Sequence, residues 1–229
     1  MKTFLKRLTW LLMYTSLSIY GASESPIQLS HVPINLHDHQ AIMRGAQSFA
    51  KHCMACHHLQ YLKHNPVAIE AGIITQPDPQ NPITWERTPP PDLSLIARKK
   101  GANWLYTYFH SFYDDPNEPT GTNNLLVPHT SMPNVFLSMQ GTQHYVKGRD
   151  VIDRRQRPVN FTHLELIKPG QLTPDEFDQT TSDLTHFLVY AGDPHASERE
   201  HIGLYVLLFL LVFASLAYAL KKAYWKRLP

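Results

Sequence analysis

The chain's two cysteines fall within four positions, in AKHCMACHHLQ at 50–60, and His57 and His58 stand directly behind Cys56. A C-x-x-C pair alone is compatible with a redox disulfide, but that chemistry belongs between a strand and a helix of a thioredoxin-like unit, and no such strand precedes Cys53. Zinc is a second candidate, with Cys53, Cys56, His57 and His58 all able to ligate. Adjacent His57 and His58 point in different directions, however, and a tetrahedral site usually takes its second ligand pair from a distant segment. The third candidate is C-x-x-C-H as a covalent haem site. Two thiols one helical turn apart add to the haem vinyl groups, and the imidazole that follows turns onto the iron. This is the reading that uses Cys53, Cys56 and His57 together, and it predicts one haem c.

A haem iron that relays electrons needs a sixth ligand, whereas one that binds small molecules keeps that position open. Downstream candidates are His110, His129, Met132, Met139 and His144. Met139 follows the apolar Val135, Phe136 and Leu137, where methionine usually packs. Met132 stands in the polar, proline-bounded PHTSMPNVF, where a thioether has no helical core to fill. Met132 is therefore the preferred ligand and His129 its rival.

These residues need elements to hold them. DHQAIMRGAQSFAKHCMACH reads as a helix running into the haem motif, with Ala46, Phe49 and Ala50 on one face and Gly45 able to admit a close neighbour. LTPDEFDQTTSDLTHFLVYAGDP announces a second helix: Thr173 as N-cap, Pro174 at the first helical position and Glu176 completing a capping box. Phe177, Thr181, Leu184 and Leu188 follow at helical spacing, and Gly192 with Pro194 ends the run. ANWLYTYFHSFY supplies a third amphipathic helix, whose Trp104, Leu105, Tyr108, Phe109 and Phe112 either cover a haem face or fill the core. The 18 prolines and stretches such as TQPDPQNPITWERTPPPDLS predict irregular backbone rather than sheet between the helices. The expected fold is mainly α, a haem domain with long irregular loops.

Both ends of the chain are apolar. Lys2, Lys6 and Arg7 precede an apolar run from Leu8 to Tyr20, and small residues follow, the layout of a signal peptide over residues 1–22; a retained anchor is the alternative. Residues 202–220 carry no charge and, at about 1.5 Å per residue, nearly cover a ~30 Å hydrocarbon core as a transmembrane helix. Lys221, Lys222, Lys226 and Arg227 in the tail, residues 221–229, hold that side in the cytoplasm. Residues 23–201 then form an exported domain, periplasmic in a bacterium. Three of the 21 Lys and Arg precede that domain and four follow it, so 14 basic residues face 19 acidic ones within it, a net charge of −5. The whole-chain value of +2 is produced by the two basic flanks and is no sign of nucleic-acid binding. Asp114, Asp115 and Glu118 form a local acidic cluster that a basic partner would find. The sequence contains no internal repeat, phosphate loop or hydrolytic triad.

Beyond this reading, the chain resembles the cytochrome c1 family, the haem subunits of ubiquinol:cytochrome c reductase, over nearly the whole mature length. The resemblance rests on RGAQSFAKHCMACHHLQYL, on PPDLSLIARKKG at 90–101, on PTG at 119–121, on the SMP loop and on the single C-terminal anchor with its basic tail. It implies that Cys53 and Cys56 carry thioethers, that His57 and Met132 ligate the iron, that Pro91 lies beside His57, and that Arg98 reaches a haem propionate. A carbonyl beside His57 also makes chemical sense, because the second imidazole nitrogen needs an acceptor that fixes the ring. The implied function is a one-electron relay from a Rieske iron-sulfur protein to a soluble or tethered c-type cytochrome, in a dimeric inner-membrane complex with cytochrome b. Such a chain is not an enzyme by itself. The segment between PTG and Met132 is short, Pro-Asn follows the methionine where many members have Ala-Pro-Pro, and the extra cysteine pair of some relatives is absent. A membrane-tethered monohaem cytochrome of another pathway and a non-haem metal-binding scaffold are the competing readings.

Overall fold

The structure, a computed structural model, describes residues 27–73, 89–152 and 158–226, with the side chains of 147–162 left aside. The expected signal peptide and most of the proline-rich stretch before Pro89 lie outside the described residues. The order is α1 (His39–His52), a 3-10 turn (Gln60–Leu62), α2 (Pro66–Glu70), α3 (Ile96–Lys100), α4 (Ala102–His110), β1 (Phe112–Asp114), β2 (Thr122–Asn124), α5 (Leu137–Gln140), β3 (Gly141–Ile152), β4 (Pro158–Pro169), α6 (Pro174–Gly192) and α7 (Ala196–Trp225).

The domain is built on the crossing of α1 and α6. Helix α1 starts where the Asp38 carboxylate accepts from the Ala41 N–H, and it buries Ala41, Ile42, Gly45, Ala46 and Phe49. Helix α6 starts at the expected capping box: Thr173 Oγ1 accepts from the Glu176 N–H, and the Glu176 carboxylate accepts from the Thr173 N–H at 2.8 Å. The helices meet at Gly45, where a Cβ would lie 2.0 Å from the Asp183 carbonyl oxygen and 2.7 Å from Phe187 Cβ. Phe49 and Phe187 pack beside that contact, with ring centroids 5.7 Å apart. Arg44 grips the otherwise buried Asp183 carboxylate with two donors, at 2.6 and 2.9 Å. That pairing satisfies a charge which would be costly to bury alone.

Helix α4 packs on α6, reached from α3 through Gly101 at φ +90°, a conformation that favours glycine. Its Leu105, Tyr108 and Phe109 join Phe112, Phe136, Phe177, Leu184, Phe187 and Leu188 in one apolar core. The fold is mainly α, as the helical periodicity predicts.

Two antiparallel ladders depart from the expectation of irregular backbone: the short β1–β2 pair, in which Phe112, expected on a helix, lies opposite Asn124, and a longer hairpin. Strands β3 and β4 form an antiparallel hairpin of 12 residues per strand, with Gly141 opposite Pro169 and Ile152 opposite Pro158. It is fastened at its base, where Gln143 Nε2 donates to the carbonyls of His110 and Phe112, both at 2.9 Å. Residues 163 and 165–169 of β4 are exposed whichever face they point to. In the sequence, the apolar residues of β4, Val159 and Phe161 and then Leu164 and Leu166, change phase along the strand, which breaks the period-2 signal of a half-buried strand.

Helix α7 spans 30 residues and is long and apolar enough to cross a membrane; it buries none of its side chains. It contains the whole of the expected 202–220 span.

Candidate haem cleft

Cys53 caps the C-terminus of α1, its N–H bonded to the Phe49 carbonyl at 2.8 Å, and the chain continues in one tight turn. The N–H groups of Cys56 and His57 both return to the Cys53 carbonyl, at 3.0 and 2.8 Å. The two sulfurs and the imidazole therefore leave the chain within a single turn.

The segment 89–95 closes on this turn. Leu93 N–H donates to the His58 carbonyl at 3.1 Å. Asp92 accepts from the N–H groups of Gln60 and Ser94, each at 2.9 Å, and Ser94 Oγ accepts from the Tyr61 N–H at 3.2 Å. These bonds bring the Pro91 carbonyl within 2.8 Å of His57 Nδ1. A carbonyl can only accept, so Nδ1 carries the hydrogen and Nε2 keeps its lone pair free for a metal. Burial lowers the imidazole's pKa and the Pro91 bond only partly offsets this, so the net shift favours the neutral ring.

Ser131, Met132, Pro133 and Val135 line one cleft together with His52, Cys53, Cys56, His57 and Pro89–Pro91. An adjoining space is lined by Leu93, Ile96, Leu105, Tyr108, Phe109, Phe136 and Leu188, and Cys53, His57, Pro91, Ser131 and Met132 line both. An apolar slot lined by two thiols, a tautomer-fixed imidazole and a thioether fits a covalent haem. The donor set matches its vinyl groups and its iron, and the lining matches its apolar body. Among the described residues no three His, Cys, Asp or Glu side chains come together as a metal-ion site.

Before any attachment the two thiols differ. Burial, and to a lesser extent Cys56, pushes the Cys53 thiol up to about 12, whereas Cys56 is exposed.

The remaining candidates lie elsewhere. Arg98 is an exposed residue of α3, not among those lining the cleft, and its Cγ would sit 3.1 Å from a Cβ on Gly192. Met139 is buried in the core, and His110 is held by the Tyr106 carbonyl and the Asp178 carboxylate. His144 pairs with Asp114 at 2.9 Å. His129 points its Nδ1 at Glu118, 2.5 Å away, from a left-handed backbone at φ +59°.

Asp115 and Glu118 converge on one donor, Asn123 Nδ2, at 3.1 and 3.2 Å. Sequence reading did not find this role for Asn123, nor the hydroxyls of Thr130 and Tyr108, which lie within 3.3 Å of each other beside Met132. Tyr108 and Met132 are 24 positions apart and no local pattern joins them. Burial raises the Tyr108 phenol pKa, so it stays protonated; its bond to Thr130 acts the other way.

Comparison with known proteins places this geometry in a family. The model of the Cytochrome C1 family matches residues 163–228. Cytochrome c1 of Allochromatium vinosum is 38% identical over 239 residues, covering 94% of this chain and 95% of that protein. The ammonia monooxygenase gamma subunit of Nitrosomonas europaea is 34% identical, covering 90% of this chain and 91% of that one. Cytochrome b/c1 of Bradyrhizobium diazoefficiens is 24% identical, covering 84% of this chain and 34% of that longer protein.

Proposed function

Because the chain belongs to the cytochrome c1 family, whose cofactor is covalently bound haem c, we propose that it relays single electrons from a Rieske iron-sulfur protein to a soluble or tethered c-type cytochrome. It is an electron-transfer haem subunit of the bc1 type, and the oxidoreductase is the assembly rather than this chain. The bound group supplies a one-electron iron couple. The chain's own residues do the rest. Cys53 and Cys56 would hold the group by thioethers, His57 would offer Nε2 to the iron because Pro91 holds Nδ1–H, and Met132, which lines the same cleft, would supply the second ligand. The observation that carries this reading is the meeting of all four side chains in one apolar cleft. Arg98 is assigned to a haem propionate by family resemblance.

In this reading residues 1–22 are a signal peptide, 23–201 a periplasmic haem domain, 202–220 a single inner-membrane span and 221–229 a cytoplasmic tail. The likeness to a protein named cytochrome b/c1, of which this chain matches about a third, supports cytochrome b as a partner within a dimeric complex. The likeness to an ammonia monooxygenase subunit favours a second reading, in which the same haem domain serves a different assembly. Purification of the tagged chain from its native membranes separates the two. Covalent haem by pyridine haemochrome, together with copurified b-type haem, is the expected result. Covalent haem without any b-type haem selects the second reading, and a colourless protein overturns both.

A further inference from the structure

We propose that Tyr108 is a positioning residue for the sulfur ligand, its hydroxyl donating a hydrogen bond to Met132 Sδ and thereby raising the reduction potential. The inference rests on the reading of Met132 as the sixth ligand. Tyr108 Oη lies 3.4 Å from Met132 Sδ and 3.3 Å from Thr130 Oγ1, and Tyr108 is 8% exposed. The hydroxyl has one hydrogen and the sulfur has none, so a bond to sulfur uses the Tyr108 hydrogen. Thr130 then gives its own hydrogen to Tyr108 Oη, while Thr130 Oγ1 accepts from the Met132 N–H at 3.4 Å. The result is a closed, directed ring: Met132 N–H to Thr130, Thr130 to Tyr108, Tyr108 to Met132 Sδ. It holds the ligand at both its backbone and its sulfur.

The ring is itself held rigidly. Tyr108 stacks on Trp104 at 5.1 Å with planes 9° apart, meets Phe112 edge-on at 5.1 Å, and its carbonyl accepts from the fully buried Asn124 Nδ2 at 2.9 Å. A thioether sulfur has two lone pairs. With one given to the iron, the other would take the Tyr108 hydrogen, and the hydrogen bond would draw density from a donor that the ferric state needs more than the ferrous. Hydrogen bonding around an axial ligand is a general lever on potential.

The test is redox titration of the detergent-solubilised holoprotein, with the near-infrared sulfur-to-iron band of the ferric form as second readout. Y108F removes one hydroxyl and keeps the ring stack. It should retain covalent haem and the band while the reduction equilibrium constant falls about two- to ten-fold, the span of one ordinary hydrogen bond. T130V should shift the constant in the same direction by less, and T130S should restore it. M132L tests the underlying reading: loss of the band with a lower potential upholds Met132 as ligand, and an unchanged band and potential removes it and the inference together. If M132L loses the band while Y108F and T130V both leave the potential unchanged, the inference alone is overturned.

Discussion

Gly45 and Asp183 touch backbone to backbone: a single added carbon on Gly45 would lie 2.0 Å from the Asp183 carbonyl oxygen. No rotamer relieves this, because the obstacle is main chain. Gly45→Ala must separate α1 from α6, and α1 carries the cysteine turn at its end. Overpacking of this kind costs about 1–3 kcal/mol. The variant should therefore melt earlier by circular dichroism and accumulate less haem-stained protein; an unchanged melting temperature would contradict the crossing.

Attachment needs both thiols but they are chemically unequal. In the polypeptide before attachment, Cys53, with its thiol pushed up to about 12, holds almost no thiolate at pH 8, while Cys56 is exposed. Brief iodoacetamide treatment of haem-free chain at pH 8 should label Cys56 first, as read by peptide mass spectrometry. Cys53→Ala and Cys56→Ala should each lower haem staining in gels, and full staining in both variants would refute the thioether assignment.

The α6 capping box sets a pH dependence. Bonds from the Thr173 backbone and hydroxyl lower the Glu176 pKa below its ordinary 4.5. A folded-state pKa below the unfolded one contributes stability that is present above about pH 4.3–4.5 and lost as pH falls through the folded value. Glu176→Ala should therefore melt below wild type at pH 7, and the gap should shrink below pH 4.5. Thr173→Ala, which removes the cap itself, should cost about 1 kcal/mol. A gap that widens in acid would reverse the assignment.

The acids of the 114–118 loop are not equally free to meet a basic partner. Asn123 and the loop backbone engage Asp115, whose carboxyl is held below the usual range mainly by the Asn123 bond, and Glu118 faces His129 with its side chain 13% exposed. Asp114, 36% exposed by side chain, faces His144 on the hairpin. Substituting Asp115 or Glu118 would disturb the turn that leads to Met132, so Asp114→Asn is the cleaner probe. Reduction of a basic cytochrome c by the assembled complex should slow as salt rises, and Asp114→Asn should flatten that slope. A rate indifferent to salt would argue for a tethered partner or an apolar interface.

Much of this was legible in the sequence where the chemistry is local. The capping box of α6 and the cysteine turn reside in short spans whose physics does not depend on the rest of the chain, and Gly45 marked a close approach without naming its partner. The β3–β4 hairpin was not legible, because the apolar alternation of β4 changes phase between Phe161 and Leu164 and so gives no continuous strand pattern. Tyr108 was visible only as one aromatic among several of α4. Its hydroxyl acquires a meaning when the 130–132 loop folds back over it, a juxtaposition that no spacing encodes. For Asp92 the sequence supplied the segment but not the reason: its carboxylate anchors two N–H groups and so aims the Pro91 carbonyl.

Between α6 and α7 the chain has three residues, Asp193–His195, and Arg199 in the first turn of α7 donates to Asp193 across the joint, with Nη1 2.6 Å from Oδ1. Three residues reach at most about 11 Å even when fully extended, and a paired guanidinium bridges them. In the proposed reading, so short and bridged a joint would keep the haem domain close to its membrane helix, and the gap an electron must cross would be closed by the donor and the acceptor coming to it. The pace of the relay would then be set by their journeys.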